Sequence, residues 1–212
     1  IGSVVRDMQF LTKICNPNLL PTATGINGSS NFSAVVCPGS TITFSVNSSD
    51  PNATDTVIMN WNNVIPGATF TTVGAQFPIG TFTWTPSVSD ARSQPYTFIV
   101  TVRDNACPTN GSQTYSFSLV VPVINTTVSS PQYNGYNVAC AGAATGSVTA
   151  TTVGGTLPYT YSWNPSGQTT QTATALASGT YTVTVTDASG CTSSAQTSLS
   201  EPPAPVAAGI AS

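Results

Sequence analysis

The sequence predicts an all-β chain made of two tandem β-sandwich modules arranged as an elongated rod. Three observations carry this. In PYTYSW the large residues Tyr159, Tyr161 and Trp163 alternate with Thr160 and Ser162, and in GTYTVTVTD the residues Tyr181, Val183 and Val185 alternate with Thr182, Thr184 and Thr186. Strict period-two alternation gives a strand with one buried and one wet face, and the wet face here carries hydroxyls rather than charges. Similar runs recur at roughly ten-residue spacing between Gly, Pro, Asn and Asp clusters, and helical spacing is nowhere sustained. A length of 212 residues suits two modules of roughly 100 residues each.

Taken in order, VVRDMQFLTKIC alternates like a single strand until NPNLLP breaks it. Residues 1–16 read as the final strand of a preceding module plus a linker. A sharper alternative makes residues 1–15 a donor strand that completes a neighbour's sheet in a filament, because an orphan strand has unpaired backbone groups. Residues 17–122 form the first module. Its inward faces are Ile42, Phe44 and Val46; Val57, Met59 and Trp61; Phe82 and Trp84; Tyr96, Phe98, Val100 and Val102; and Tyr115, Phe117, Leu119 and Val121. Residues 123–205 form the second, with strands expected near 124–129, 146–153, 158–164, 168–174, 179–186 and 192–199. Residues 206–212 read as a linker to a next module. The halves echo one another: CPGSTITFSV from Cys37 parallels CAGAATGSVTA from Cys140, and TVRDNAC parallels TVTDASGC. Each half also places a tryptophan, Trp61 or Trp163, on its third strand, the core anchor of immunoglobulin-like sandwiches. Tandem copies of one architecture suggest a rod.

Composition narrows the function. Only 5% of residues are charged and the net charge is -3, which leaves little to neutralise phosphates and argues against nucleic acid. No apolar run approaches the roughly 20 residues of a spanning helix, so membrane insertion is not expected. The chain opens IGSVVRDMQF without a basic, apolar leader, so a piece of a longer exported protein is expected. With no histidine and a single lysine, Lys13, the commonest general base is missing and neither a Ser–His–Asp nor a Cys–His site can be built. The chain is not expected to be an enzyme. Asp50 and Asp55 as a glycosidase pair would need a cleft and one carboxyl with its pKa raised by burial, which turn aspartates do not offer.

Five cysteines in so acidic and hydroxyl-rich a chain point to an oxidising, extracytoplasmic setting. Cys140 and Cys191 are the only two in the second module and are expected to pair. The same logic pairs Cys37 with Cys107 and leaves Cys15 over. Strand topology raises Cys15 as an alternative partner of Cys107, since Cys37 precedes the second strand at the far end of its sandwich.

Other candidate sites lie in turns. Asp50, Asn52 and Asp55 in SSDPNATD face the loop that carries Asp104 and Asn105, a set of oxygen ligands suited to Ca²⁺; the competing reading is that they make turns through their own backbone. No other cofactor is expected. Tyr133 and Tyr136 in SPQYNGYN form a candidate aromatic platform for sugar stacking. Thr56, in Asp55-Thr56-Val57, fits the O-glycosylation acceptor pattern of gliding bacteria.

With these motifs laid out, residues 124–205 resemble the SprB-type repeat of very long surface adhesins of gliding bacteria, through VACAG, GSVTATTVGGTLPYTYSW, LASGTYTVTVTDASGC and the closing SEPP. AGAATG departs from the Asn/Asp-containing glycine loop usual there. The first module is similar to the immunoglobulin-like, cadherin-like domains of the same kind of protein, through IPGATF, GTFTWTP, PYTFIVTVRDNACP and QTYSFSLVV; a cysteine pair some relatives carry on two facing strands is replaced by Phe44 and Trp84. The resemblance implies export to the bacterial cell surface, by the type IX route, and a part in adhesion and gliding motility. The expected role is a repetitive stalk segment whose partners are neighbouring modules of the same long chain. Alternatives are a subunit of an extracellular filament that self-associates through residues 1–15, and a carbohydrate-binding module of a secreted enzyme that takes surface polysaccharide.

Overall fold

A computed structural model describes residues 18–106 and 109–204. Apart from two 3-10 turns, Ile26–Gly28 and Val88–Asp90, the regular structure of these residues is all β, as two sandwiches of immunoglobulin-like type. No helix among them is long and apolar enough to cross a membrane.

Eight strands build the first sandwich: β1 (Thr22–Ala23), β2 (Ser33–Val35), β3 (Ile42–Ser49), β4 (Ile58–Trp61), β5 (Thr69–Val73), β6 (Ile79–Trp84), β7 (Tyr96–Arg103) and β8 (Ser112–Val120). They form two sheets in the orders β1-β3-β6-β5 and β2-β8-β7-β4. Antiparallel registry sets Phe44 opposite Phe82, and alternation sends every second residue inward. Phe44, Phe82, Phe98 and Phe117 thereby meet as a stack of rings. Centroids lie 4.6 Å apart for Phe82 and Phe98, 5.0 Å for Phe98 and Phe117, and 5.0 Å for Phe44 and Phe82. Each such pair adds about 1 kcal/mol beyond the area it buries. Trp61 on β4 packs edge-on against Phe82 and Phe98. Of the predicted inward residues, Ile42, Trp61, Tyr96 and Tyr115 are half-buried and the rest are buried.

Six strands build the second sandwich: β9 (Ile124–Ser129), β10 (Gly146–Gly154), β11 (Thr160–Asn164), β12 (Thr172–Leu176), β13 (Gly179–Thr186) and β14 (Thr192–Leu199). The sheet orders are β12-β10-β9 and β11-β13-β14. Val148, Ala150, Trp163, Leu176, Tyr181, Val183, Val185 and Leu199 belong to one buried cluster. Two strands differ from expectation. β11 starts at Thr160 rather than 158, in keeping with Pro158, which has no N–H for a ladder. The run expected at 168–174 becomes strand only at Thr172, because Gly167 N donates back to Trp163 O and the Gln168 amide closes on the backbone of Thr174.

By compactness the chain divides differently from the sheets. One unit comprises Ile1–Ser33, Ile42–Trp84 and Thr97–Ser118; the other comprises Ala34–Thr41, Thr85–Tyr96 and Leu119–Ser212. The second unit thus takes in two segments, Ala34–Thr41 and Thr85–Tyr96, that precede its own sandwich by many residues. Their backbone ties inside that unit include Val36 N to Val120 O, Gly39 N to Pro86 O and Arg92 N to Val121 O. The expected strand at residues 1–15 and the linker at 206–212 lie outside the described residues.

Candidate functional site

Two buried aspartates at equivalent places in the two sandwiches organise the chain's turns. Both follow a TV-x-D motif at the end of a long strand, β7 or β13. Asp104 is 1% exposed and Asp187 5%. Asp187 Oδ1 accepts the backbone N–H groups of Ser189 (2.9 Å) and Cys191 (2.8 Å), and its Oδ2 accepts that of Thr156 (2.8 Å). Asp104 repeats the pattern: Oδ1 accepts from Ala106 N (3.1 Å) and Gly111 N (2.7 Å), and Oδ2 from Asn18 Nδ2 (3.0 Å). Burial alone would raise the pKa of Asp104, but the hydrogen bonds from Asn18, Ala106 and Gly111 outweigh it and hold the carboxyl below its ordinary value. The approach is close enough to require glycine. A Cβ on Gly111 would meet Asp104 Oδ2 at 2.6 Å, and one on Gly155, whose φ is +68°, would meet Asp187 Oδ2 at 2.8 Å. The turn reading set against the ion reading for Asp104 is the one these bonds display, and the repeated Thr-Val-x-Asp ahead of a cysteine is the sequence signal that Asp187 shares it.

These bonds also bear on the residues named for calcium. Asp50, Asn52 and Asp104 do meet around the incoming segment at Asn18 and Leu19, and most of their oxygens accept from N–H groups, whereas Asp50 Oδ2 and the neighbouring Asn18 Oδ1 are buried with no hydrogen-bond partner. Asp50 Oδ1 accepts from Asn52 N (2.7 Å), and Asn52 Oδ1 accepts from Leu19 N (2.9 Å). Asn105 Oδ1 accepts from Thr56 N (2.7 Å), and Asp55 meets Gln76 Nε2 through its backbone carbonyl (3.2 Å). Among the described residues no three Asp, Glu, Cys or His side chains are grouped to hold a metal. Asp50 and Asp104 each accept from the backbone N–H two residues on, the turn-forming bond open to aspartate.

The cysteine pairing departs from both expected pairs. Cys37 is bonded to Cys191, with Cα atoms 5.2 Å apart, and Cys140 is free and exposed. Both bonded residues belong to the second compact unit, Cys37 on its segment Ala34–Thr41. The expected Cys140–Cys191 bond fails on length. Cys191 immediately precedes β14, whereas Cys140 lies beside its far end, where Asn137 N and Val138 N donate to Ser200 O and Gly142 N to Glu201 Oε2. Eight strand residues at ~3.3 Å each separate the two ends by about 26 Å, against the 4–7 Å a disulfide spans. The expected Cys37–Cys107 pair is overturned because the Cys37 sulfur is bonded to Cys191. Cys107 and Cys15 themselves, and hence their expected alternative pairing, lie outside the described residues. A cavity of about 320 Å³ adjoins the bridge, lined in part by Cys37, Pro38, Val88, Val123 and Thr192.

Tyr133 and Tyr136 face each other across a two-residue turn. Tyr133 N donates to Tyr136 O (2.6 Å) and Tyr136 N to Tyr133 O (3.0 Å), with Asn134 and Gly135 at positive φ, the demand of a type I′ hairpin. Opposed residues share a face of the pair. Tyr133 is exposed and Tyr136 half-buried. Thr56 is half-buried in the loop before β4.

No curated protein sequence matches the chain. Similar solved structures include the C-terminal 282-residue fragment of intimin in complex with the intimin-binding domain of its translocated receptor, at 12% identity and a TM-score of 0.41, covering 87% of this chain and 64% of that one. The I9–I11 tandem of titin is similar at 11% identity and a TM-score of 0.39, covering 87% and 66%. The sialic acid binding region of the Streptococcus sanguinis SK1 adhesin is similar at 14% identity and a TM-score of 0.40, covering 84% and 76%. The chain thus spans less than two thirds of the intimin and titin chains. Residues 136–168, from the tyrosine hairpin through β10 and β11 to the turn after Trp163, match the family model of the SprB repeat.

Proposed function

We propose that this chain is a stalk segment of a large, repetitive bacterial cell-surface adhesin, non-enzymatic, serving adhesion and gliding motility. The observation that carries the reading is the SprB repeat match over residues 136–168. The repeated architecture fits it: two sandwiches in one chain, each with its strand-to-strand turn tied to a buried aspartate, built for persistence of shape rather than for turnover. Hydroxyl-rich outer faces, as on β13 and β14 where Thr180 pairs with Ser198 and Thr184 with Ser194, keep such a segment soluble with few charges. Its partners are the modules on either side of it in the same long chain, and its setting is the oxidising cell exterior, reached by type IX export.

The test is an in-frame deletion of residues 18–204 from the chromosomal copy. Cells are expected to keep the adhesin on their surface, by antibody labelling of intact cells, and to keep adhering with a shorter reach. Complete loss of adhesion with normal surface display would refute a stalk role and favour a binding module. Sedimentation of the purified chain as a monomer is expected; fibres growing on dilution from denaturant would favour the filament instead.

A further inference from the structure

Cys37 and Cys191 are 154 residues apart in sequence. Strands β3 to β13 all lie between them, and among the described residues β1, β2 and β14 lie outside. The enclosed strands carry both buried clusters, the phenylalanine stack of the first sandwich and most of the core around Trp163 in the second. A chain pulled from both ends transmits force along its shortest covalent route, and a sulfur–sulfur bond outlasts any ladder of hydrogen bonds.

We propose that the Cys37–Cys191 bridge is a load bypass, an inference that rests on the stalk reading for its biological use. Tension entering before Cys37 crosses the two sulfurs to Cys191 and leaves along β14. Everything between them is held out of the force path. The loop can then fluctuate or unfold without lengthening the molecule, because its ends are already joined. At ~3.4 Å per extended residue, about 520 Å of contour is locked away. The elements left to bear load are few. β14 is the principal one, stretched between Cys191 at its start and the outgoing chain at its end, and paired along its whole length with β13 from Thr186↔Thr192 to Gly179↔Leu199. The cysteine that anchors it is itself fixed: Cys191 is 1% exposed and its N–H is held by Asp187 Oδ1 at 2.8 Å. A stalk of such segments would stay close to one length under strain in an oxidising exterior and would become extensible once reduced.

Single-molecule force spectroscopy on the full 212-residue chain between inert handle domains tests this, since the instrument supplies the tension whether or not the chain bears it on a cell. The oxidised chain is expected to fall short of its fully extended length by about 520 Å, and dithiothreitol in the chamber, or Cys37→Ser, is expected to release that length. Equal lengths with and without dithiothreitol would overturn the proposal. So would a gain near ~240 Å or ~170 Å, the lengths that Cys37–Cys107 or Cys140–Cys191 bonds would hide. Reduction of the wild-type chain under the force probe keeps the test decisive if C37S does not fold. A failed bypass leaves the deletion test of the stalk role untouched, and a failed stalk role leaves the pulling result unchanged.

Discussion

Removing the Asp187 carboxylate should cost the second sandwich a large part of its stability, and the size of the loss follows from the bonds it makes. Three backbone N–H groups, of Thr156, Ser189 and Cys191, end on its two oxygens at 2.8–2.9 Å. Each hydrogen bond to a charged acceptor contributes about 1.5–3 kcal/mol, and a buried donor left without a partner costs about 1–3 kcal/mol. Water entering the vacated space would recover some of this, so Asp187→Ala is expected to destabilise by about 3–5 kcal/mol, against a total of about 5–15 kcal/mol for a typical domain. Asp187→Asn separates the contributions. Its amide oxygen can keep the pair from Ser189 and Cys191, while its NH₂ then faces the Thr156 N–H, donor against donor, so a loss of about 2 kcal/mol is expected. The assay is hydrogen–deuterium exchange across a urea series under oxidising conditions, read on peptides from β13 and β14. Local readout matters because a chain of two units need not unfold in one step. A loss below about 1 kcal/mol for D187A, or an Asn variant as damaged as the Ala variant, would refute the anchoring role.

Two further outcomes follow. Asp104 has its pKa depressed in the folded chain; its stabilisation is therefore complete above the unfolded value of about 3.9 and is lost as pH falls through the lower folded value. Thermal melts from pH 7 to pH 2 should show wild type losing stability on the acid side below about pH 4, and Asp104→Asn, already weaker at pH 7, should show a flatter acid limb; identical acid limbs would remove Asp104 as the group responsible. Maleimide treatment of the native, oxidised protein should label Cys140, which is free and exposed, and leave Cys37 and Cys191 unlabelled. A label on Cys37 or Cys191, read by peptide mass spectrometry, would contradict the observed pairing.

Much of the fold was legible because each strand states its own face. Phe98, Val100 and Val102 alternate with polar or exposed neighbours and are all fully buried, and β9, β13 and β14 fall where alternation placed them. The strand near 170 was placed too early because QTTQTATA alternates weakly and has small side chains; its start is decided by the Gln168 amide bonds to Thr174, which no period reveals. The aspartates were visible as residues, with turn formation as one of their two readings. Counting oxygens around Asp50, Asn52 and Asp104 suggests an ion, whereas the fold brings N–H donors to several of them, and the glycine at 111 or 155 that makes room for the Asp104 or Asp187 carboxylate lies too far along the chain for spacing to reveal it.

The cysteines show where local reading stops. Pairing the two thiols that share a module assumes that module membership decides. Geometry decides instead. Cys140, ahead of β10, and Cys191, in the turn between the last two strands, stand at opposite ends of the second sandwich, and the eight residues of β14, about 26 Å, rule their bond out. That objection was already available for Cys37 and Cys107 from strand order alone, and it applies with equal force to Cys140 and Cys191, since the two repeats place their cysteines alike. What strand order cannot supply is which thiol of the one kind meets which of the other. That depends on the segment Ala34–Thr41 lying with the second compact unit, a packing outcome that brings Cys37 beside Cys191 across 154 residues and places a loop spanning both repeats under a covalent lock.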